Sequence, residues 1–246
     1  MSEHKLYVTT NKNNESEVEK QVLADSNIKV GEVNLPIKKG EVITLNYEYG
    51  TGGVELALRN FVYPLLVNTD KNVVIDAIGI SDMFVESVLT AEYYNEMNET
   101  NVDAQYVMNA LKEDDEYITY LYKDLFSKGN FIITHTWKRE CLFNQFNSLC
   151  GDKSDTYFII LNAHALDPEE DDGNVVVDDV CDKARKFVEE HGNGFMIVCS
   201  GVNPEAVVKR CEKSDVNLIC VNKDYFGYNE IGVIRKLKYE ECKIGE

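Results

Sequence analysis

Residues 157–162 read Tyr-Phe-Ile-Ile-Leu-Asn, a run of aromatic and apolar side chains closed by one polar residue. Such short continuous apolar runs are typical of strands that are buried on both faces of a parallel sheet. Similar runs occur at residues 131–134, 195–199 and 217–221. Helical periodicity fills the gaps at residues 139–150, 178–191 and 204–214. This alternation of strand and helix predicts a parallel sheet with helical crossovers.

The chain before residue 128 has a different organisation. A polar segment covers residues 1–27, and strand-like and helical patterns then follow one another less regularly. These patterns predict strands at 28–33, 42–47 and 73–76, and helices at 54–66, 84–93 and, in two pieces, 103–126. The polar stretch 127–130 is the best candidate boundary. The sequence therefore predicts an α/β protein with a mixed-sheet half at 28–128 and a Rossmann-like parallel α/β half at 129–246.

Composition and charge limit the classes of function. The formal net charge of the 246-residue chain is −18, and no cluster of Lys and Arg offsets it, which argues against a nucleic-acid partner. No apolar stretch is long enough to span a membrane, and no apolar signal core follows the first residues. The seven cysteines include no C-x-x-C pair, which fits a reducing compartment. We therefore expect a cytoplasmic protein.

A glycine cluster, Gly50-Thr51-Gly52-Gly53, stands between a predicted strand and a predicted helix. Turns of this kind can hold phosphate, because the amides at the start of a helix point toward the anion. The cluster matches neither G-x-x-x-x-G-K-[ST] nor G-x-G-x-x-G, and it lacks the lysine of the first motif. A tight turn that uses the conformational freedom of glycine is the simpler interpretation.

The stretch 72–81, Asn-Val-Val-Ile-Asp-Ala-Ile-Gly-Ile-Ser, follows a helix that opens with Gly52-Gly53-Val54 and leads into a second helix. Over residues 28–128 this arrangement resembles a STAS-like domain, the fold of anti-sigma-factor antagonists. In that family the turn after the strand binds a partner protein, and the resemblance implies this role for Ser81, Asp82 and Phe84. The usual Asp-Ser-Ser-Gly turn is replaced, so partner binding is expected rather than phosphorylation. A helix N-cap is the alternative role of Ser81.

Residues 175–182, Val-Val-Val-Asp-Asp-Val-Cys-Asp, are similar to the sugar-diphosphate motif of type I phosphoribosyltransferases. The resemblance implies that Asp178 and Asp179 hold the hydroxyl groups of a ribose, and thus a small phosphorylated ligand. The phosphate loop that should follow is replaced by Lys-Ala-Arg-Lys at 183–186. These residues favour a helix, in which the acids would lie in the first turn.

Polar residues follow the predicted strands of the second half, including His135, His164 and Ser200. Ligands bind beyond the carboxyl ends of strands in open parallel sheets, so these three residues are candidate ligand-binding groups. Two histidines with Asp167 could also perform acid–base chemistry or hold a metal. Because loops at strand ends are polar in most proteins, we predict no metal site and identify no cofactor.

The failure of each catalytic motif at its decisive position favours a non-enzymatic regulatory protein. It would bind another protein through the STAS-like half and a small ligand or a partner through the α/β half. The alternative is a nucleotide or sugar-phosphate enzyme, a degenerate relative of the phosphoribosyltransferases, which would use the crevice of the second half. A degenerate nuclease-like second half is a third interpretation, and a homodimer is an open alternative. The expected partners include neither nucleic acid nor membrane.

Overall fold

The computed structural model describes residues 6–9, 20–23, 37, 39–47, 49–50, 52–68, 71–127, 131–149, 153–169, 172–201, 210, 213–222 and 229–235. The strands are β1 (Leu6–Thr9), β2 (Lys20–Leu23), β3 (Val42–Tyr47), β4 (Asn72–Ala77), β5 (Phe131–Thr134), β6 (Thr156–Leu161), β7 (Gly194–Ser200), β8 (Val216–Asn222) and β9 (Asn229–Arg235). The predicted strand at 28–33 lies outside the described residues.

A continuous helical segment follows β3, made of α1 (Gly53–Ala57), a π-helical turn (Leu58–Val62) and α2 (Tyr63–Asn68). The later helices are α3 (Asp82–Asn98), α4 (Ala104–Lys112), α5 (Glu116–Ser127), α6 (Arg139–Leu149) and α7 (Gly173–His191). The predicted helix at 204–214 lies almost wholly outside the described residues. In the described part of the chain, no helix is both long enough and apolar enough to cross a membrane.

Seven strands form one sheet in the order β5-β4-β6-β7-β3-β8-β9. The first six in this order run parallel, and β9 pairs antiparallel with β8. The interior strand β3 has parallel neighbours on both sides, with Val42 opposite Phe195 and Ile43 opposite Val216. β1 and β2 form a separate antiparallel pair, and β1 contacts β9.

Helices cover both faces of the sheet, which is why most side chains of its interior strands are apolar. On one face, Ile43 and Leu45 pack against the helical segment 53–68 and against α3 and α5. On the other face, Val42 belongs to a second cluster built with α6 and α7. Phenylalanine rings fill that second cluster, and Phe146 and Phe158 lie with their centroids 4.6 Å apart.

The parallel sheet with helical crossovers is confirmed, but the division into a mixed-sheet half and a second half is wrong. β3 comes early in the chain, yet it lies between β7 and β8, which come late. Strands from before and after residue 128 therefore share one sheet and the same two apolar clusters. The sequence pattern records neighbours along the chain, whereas pairing in a parallel sheet is decided by long-range packing.

Candidate functional site

The connections between strands create two crevices at the carboxyl edge of the sheet. The helices that follow β3 and β4 lie on one face, whereas α6 and α7, which follow β5 and β6, lie on the other. Arg210, from the connection between β7 and β8, contacts Asn46 and Asn174 and so lies on the α7 face. The elements described after β4 and after its neighbours β5 and β6 therefore lie on opposite faces of the sheet. The same holds for β3 and its neighbour β7. Such switch points are where open α/β sheets bind ligands.

The crevice at β3 is built on the glycine turn. Gly50 and Gly52 adopt left-handed φ angles of 86° and 73°, and the helical segment begins at Gly53. The ring of Tyr47, the last residue of β3, packs directly on Gly53, and a Cβ atom there would overlap the ring. Gly53 is therefore required by this close approach, whereas the left-handed conformation of Gly50 and Gly52 favours glycine without demanding it.

Tyr47 also reaches across β7 to the end of β6. Its hydroxyl donates a hydrogen bond to Oδ1 of Asn162 at 2.6 Å, and Nδ2 of Asn162 donates to the carbonyl oxygen of Ile78 at 3.2 Å. Burial, with smaller contributions from Cys199 and Tyr49, raises the pKa of Tyr47 to about 12. The phenol is therefore protonated at neutral pH and acts as a hydrogen-bond donor.

His164 also lies in this crevice, beside Tyr47. Its Nδ1 accepts a hydrogen bond from the backbone N–H of Ser200 at 3.0 Å, and its ring meets the Tyr47 ring edge-on at 6.3 Å between centroids. Burial and the positive charge of Arg210 lower the pKa of His164 below its ordinary value. The imidazole is thus neutral at neutral pH, and two of the predicted ligand-binding residues, His164 and Ser200, lie together.

A buried guanidinium lies beneath the same crevice. Arg210 is completely inaccessible to solvent, and its terminal nitrogens donate to Oδ1 of Asn46 at 2.5 Å and to Oδ1 of Asn174 at 2.7 Å. Among the described residues, the carboxylate within ion-pair distance is that of Asp178, whose Oδ1 lies 3.9 Å from Nε of Arg210. Within the described residues neither of these two atoms has a hydrogen-bond partner. Arg210 is therefore held mainly by neutral amides, beside a loosely placed counter-charge.

The crevice at β4 is closed by an ion pair. His135 lies with Nδ1 at 2.8 Å from the carbonyl oxygen of Ala77 and Nε2 at 2.5 Å from Oδ1 of Asp82. Desolvation lowers the pKa of His135, but the hydrogen bonds to Ala77 and Asp82 and the charges of Asp82 and Asp76 outweigh it and raise that pKa. A carbonyl oxygen can only accept, so both ring nitrogens donate in the imidazolium form.

Asp76 lies beneath this pair and is completely buried. Its carboxylate accepts hydrogen bonds from the backbone N–H of Thr136 at 3.0 Å and from the hydroxyl of Thr134 at 2.8 Å. The hydroxyl of Thr136 in turn bonds Gln145. Asp76 thus ties the end of β4 to the end of β5 and leaves no carboxylate oxygen without a partner, as a structural acid requires.

The remaining predicted residues lie elsewhere. Ser81 is the N-cap of α3 and accepts from the N–H of Phe84 at 3.3 Å, while the Phe84 side chain packs against the core. Asp178 and Asp179 lie inside the continuous helix α7. Asp179 pairs with Lys183 at 2.9 Å and lines a polar surface groove of about 800 Å³ that is separate from the glycine turn. His135 follows β5 and His164 follows β6, and β4 lies between these two strands. His135 therefore contacts Ala77 and Asp82, whereas His164 contacts Ser200.

Three residues of the β3 crevice were missed from the sequence. Tyr47 precedes the glycine cluster and Asn162 ends a predicted strand, so strand-end position was a usable signal for both. Arg210 offered no such signal, because an arginine in a predicted helix is most often exposed. Its burial depends on contacts with three separate elements, which only the folded chain brings together.

A metal does not fit the described part of either crevice. No group of three or more His, Cys, Asp or Glu side chains among the residues with described positions is arranged to hold an ion. The described side chains that contact Tyr47 at the β3 crevice are an amide and an imidazole, and both already bind backbone groups. Magnesium prefers carboxylate and phosphate oxygens, which these side chains do not supply.

No protein-family model matches the chain, and no curated protein matches it. Among solved structures it is similar to the ATPase domain of G40P, with a TM-score of 0.57 and 11% identity over 77% of this chain and 72% of that one. It is also similar to a DnaB-like replicative helicase, with a TM-score of 0.58 and 11% identity over 80% of this chain. The chain spans 55% of the length of that helicase. Likeness at this identity establishes the fold.

These similarities overturn two interpretations of the sequence. The fold is that of helicase ATPase domains and not that of STAS domains, so the resemblance over residues 28–128 was misleading. The prediction of a non-enzymatic STAS-type regulator is wrong with it, because it rested on that domain. The short strand–turn–helix motif at 72–81 is common to many α/β folds, which explains the error. The resemblance to phosphoribosyltransferases fails as well, since its acids lie within helix α7.

Proposed function

We propose that this chain binds a nucleotide at the turn between β3 and α1, with the phosphates at the amino end of the helical segment 53–68. The observation that carries the proposal is the position of the glycine turn, which follows an interior parallel strand, β3, at a switch point of the sheet. The proposal is supported by the likeness to the ATPase domain of G40P and to a DnaB-like helicase.

The turn offers backbone groups suited to phosphate. The first N–H groups of a helix have no partner within it, and the helix dipole favours negative charge at that end. Left-handed residues in a turn direct neighbouring N–H groups into a concave surface, and Gly50 and Gly52 are both left-handed and exposed. Glycine also permits the close approach that a phosphate needs.

The side chains that usually strengthen such a site are replaced. If Tyr47 to Val54 is compared with G-x-x-x-x-G-K-[ST], Gly52 matches the second glycine, whereas Gly53 and Val54 stand at the lysine and at the hydroxyl residue. In P-loop NTPases that lysine contacts the phosphates, and the hydroxyl and an aspartate hold magnesium. The residue that follows β6 and bonds Tyr47 is Asn162, an amide and not an aspartate. We therefore expect backbone-dominated binding without a strong need for magnesium, and slow hydrolysis.

The partners of the chain follow less directly from the site. The DnaB-like helicase was studied with its interactions with primase, and this is a property of that protein. For this chain, a protein partner, a homodimer and the lack of a nucleic-acid partner stay predictions. The last of these rests on the net charge of −18.

Calorimetric titration with ATP, ADP and ribose 5-phosphate tests the proposal. Gly50→Asp places a carboxylate at the turn, in a conformation that Asp tolerates and with no atom within 4 Å of the new Cβ. Gly40→Asp is the matched control, because Gly40 is equally open and left-handed (φ 79°) but precedes β3 at the opposite edge of the sheet.

We expect both nucleotides to bind the unmodified chain, and Gly50→Asp to weaken binding by about tenfold or more through charge repulsion. Gly40→Asp should bind as the unmodified chain does. Binding of ribose 5-phosphate alone would indicate a sugar-phosphate site instead. If no nucleotide binds at millimolar concentration, or if the two variants lose affinity equally, the proposal is wrong.

A further inference from the structure

Aromatic side chains gather on the outer side of α3, α4 and α5, away from both crevices. Tyr94 of α3 lies between Tyr106 of α4 and Tyr117 of α5, with 5.9 Å between ring centroids in each pair. Met97 and Tyr120 follow Tyr94 and Tyr117 by three residues and extend the same helix faces. We call these five residues the tyrosine surface.

The tyrosine surface is exposed although it is aromatic. Met97, Tyr106, Tyr117 and Tyr120 each expose between 45% and 62% of their area. Beneath it lies a small apolar cluster of Ala91, Val107 and Ile118, which already holds the three helices together. The exposed rings are therefore not needed to close the core, and grouped exposed aromatic side chains are typical of interaction surfaces.

Negative charge surrounds this surface. Residues 96–116 contain seven carboxylates and one cation, Lys112. Asp103 and Asp115 cap α4 and α5, and Glu96 accepts a hydrogen bond from Tyr63. The other four carboxylates are Glu99, Glu113, Asp114 and Glu116. All four are exposed, and no ion pair in the described part of the chain involves them.

We infer that the tyrosine surface binds a basic segment of a partner protein, rich in arginine. Tyrosine faces attract cations, and guanidinium groups both stack on aromatic rings and form paired hydrogen bonds with carboxylates. The helices that carry the rings carry the carboxylates as well, with Glu99 at the end of α3, Glu113 at the end of α4 and Glu116 at the start of α5. The inference is independent of nucleotide binding, because the β3 turn contributes nothing to it.

Charge complementarity selects this occupant over two others. We call the four exposed carboxylates, Glu99, Glu113, Asp114 and Glu116, the acidic rim. A second copy of the chain would bring two acidic rims together, in molecules that each carry a net charge of −18. A nucleic-acid strand would place phosphates against the same carboxylates, although its bases could stack on tyrosine. Only a positively charged segment satisfies the rings and the acids together.

Fluorescence anisotropy with a labelled arginine–glycine peptide tests the inference on the full chain. The first variant is Glu113→Lys with Glu116→Lys, which reverses two charges at the rim. Its matched control is Glu189→Lys with Glu190→Lys, an equal change of charge at two exposed glutamates of α7, which covers the opposite face of the sheet. A second pair is Tyr106→Ala with Tyr120→Ala. Circular dichroism and thermal unfolding establish that each variant is folded.

We expect the rim reversal to weaken peptide binding about tenfold or more, and the α7 reversal to change it less than threefold. Removal of the two tyrosines should weaken it about five- to thirtyfold, because cation–π contacts at exposed sites are worth about 0.5–1 kcal/mol each.

Three results would overturn the inference. Equal losses in the two charge-reversal variants would mean that the peptide responds only to the net charge. An unchanged affinity after removal of both tyrosines would exclude the rings. Sedimentation that shows a dimer, lost in the tyrosine variant, would make a second copy the occupant.

Discussion

The hydroxyl of Tyr47 donates a hydrogen bond to Asn162, 2.6 Å away, across the intervening strand β7. The bond joins the residue that enters the glycine turn to the residue that leaves β6. Because the Tyr47 ring also packs on Gly53, this one side chain contacts both the residue that follows β6 and the first residue of the helix.

Tyr47→Phe removes the hydrogen bond and keeps the ring. We expect the free energy of unfolding to fall by about 1 kcal/mol, because Oδ1 of Asn162 loses its donor in a partly buried position. Urea unfolding followed by circular dichroism measures the change. Tyr120→Phe, at a ring that is 62% exposed, serves as the control and should change stability by less than about 0.5 kcal/mol. Equal stability of all three proteins would contradict the role given to this bond.

Gly53→Ala tests the close packing of the ring. The new methyl group would overlap the Tyr47 ring, and we expect a loss of about 1–3 kcal/mol from overpacking. In a Tyr47→Ala background the ring is gone, and alanine at the start of the helix should be neutral or mildly stabilising. A double-mutant cycle by urea unfolding gives the coupling between the two sites. A similar loss in both backgrounds would show that the ring is not the obstacle.

The ion pair of His135 with Asp82 makes stability depend on pH. The pKa of His135 is raised in the folded protein, so the stabilisation is complete below its unfolded pKa of about 6.5 and is lost as pH rises through the folded pKa. Asp82→Asn removes the charge and the carboxylate acceptor. We expect the difference in melting temperature between the two proteins to be largest near pH 6 and to shrink as pH rises.

His164 provides the opposite dependence as an internal comparison. Its pKa is lowered by burial and by Arg210, so its contribution is present above about pH 6.5 and is lost as pH falls. Titration of the histidine ring protons by NMR separates the two groups. A pKa of His135 that falls below its ordinary value would contradict the assignment of this pair.

Arg210→Met tests the buried guanidinium. The variant removes the charged donor from Oδ1 of Asn46, which keeps only the weak Cys199 thiol, and from Oδ1 of Asn174. It also removes the cation beside Asp178, and we expect a loss of about 3–5 kcal/mol. Asp178→Asn in the same chain should reduce that loss, since the unpaired charge disappears. Chemical unfolding of the four proteins in the cycle measures both effects. Additive losses would mean that the 3.9 Å contact carries no coupling.

Local pattern was enough to identify most elements of the sheet. The runs at 131–134, 195–199 and 217–221 lie in β5, β7 and β8, and the run at 157–162 matches β6 except for Asn162, which follows the strand. The break predicted within 103–126 separates α4 from α5. These elements could be predicted because periodicity and turn residues are local properties. The place of β3 between β7 and β8 could not, because the partners of Thr44 and Asn46 are Asn217 and Arg210, which lie more than 160 residues away along the chain.

The site was predictable only in its general position. Strand-end position singled out His164 and Ser200, which do lie together, whereas the glycine cluster was interpreted as a tight turn. The packing of Tyr47 over Gly53 could not be predicted, because that contact depends on the direction of one side chain. The sugar-binding role of Asp178 and Asp179 was implied only by the resemblance to phosphoribosyltransferases, and the alternative, a helix, is what the structure shows.

The position of β3 also governs the order in which the protein can assemble. During synthesis residues 42–47 emerge first, yet Phe195 and Val216, which face Val42 and Ile43, emerge last among the parallel strands. Until then the strand that leads into the glycine turn has two open hydrogen-bonding edges, and such edges are prone to aggregation. Folding of this sheet should therefore be slow and late, and chains stopped before residue 216 should depend on chaperones to stay in solution.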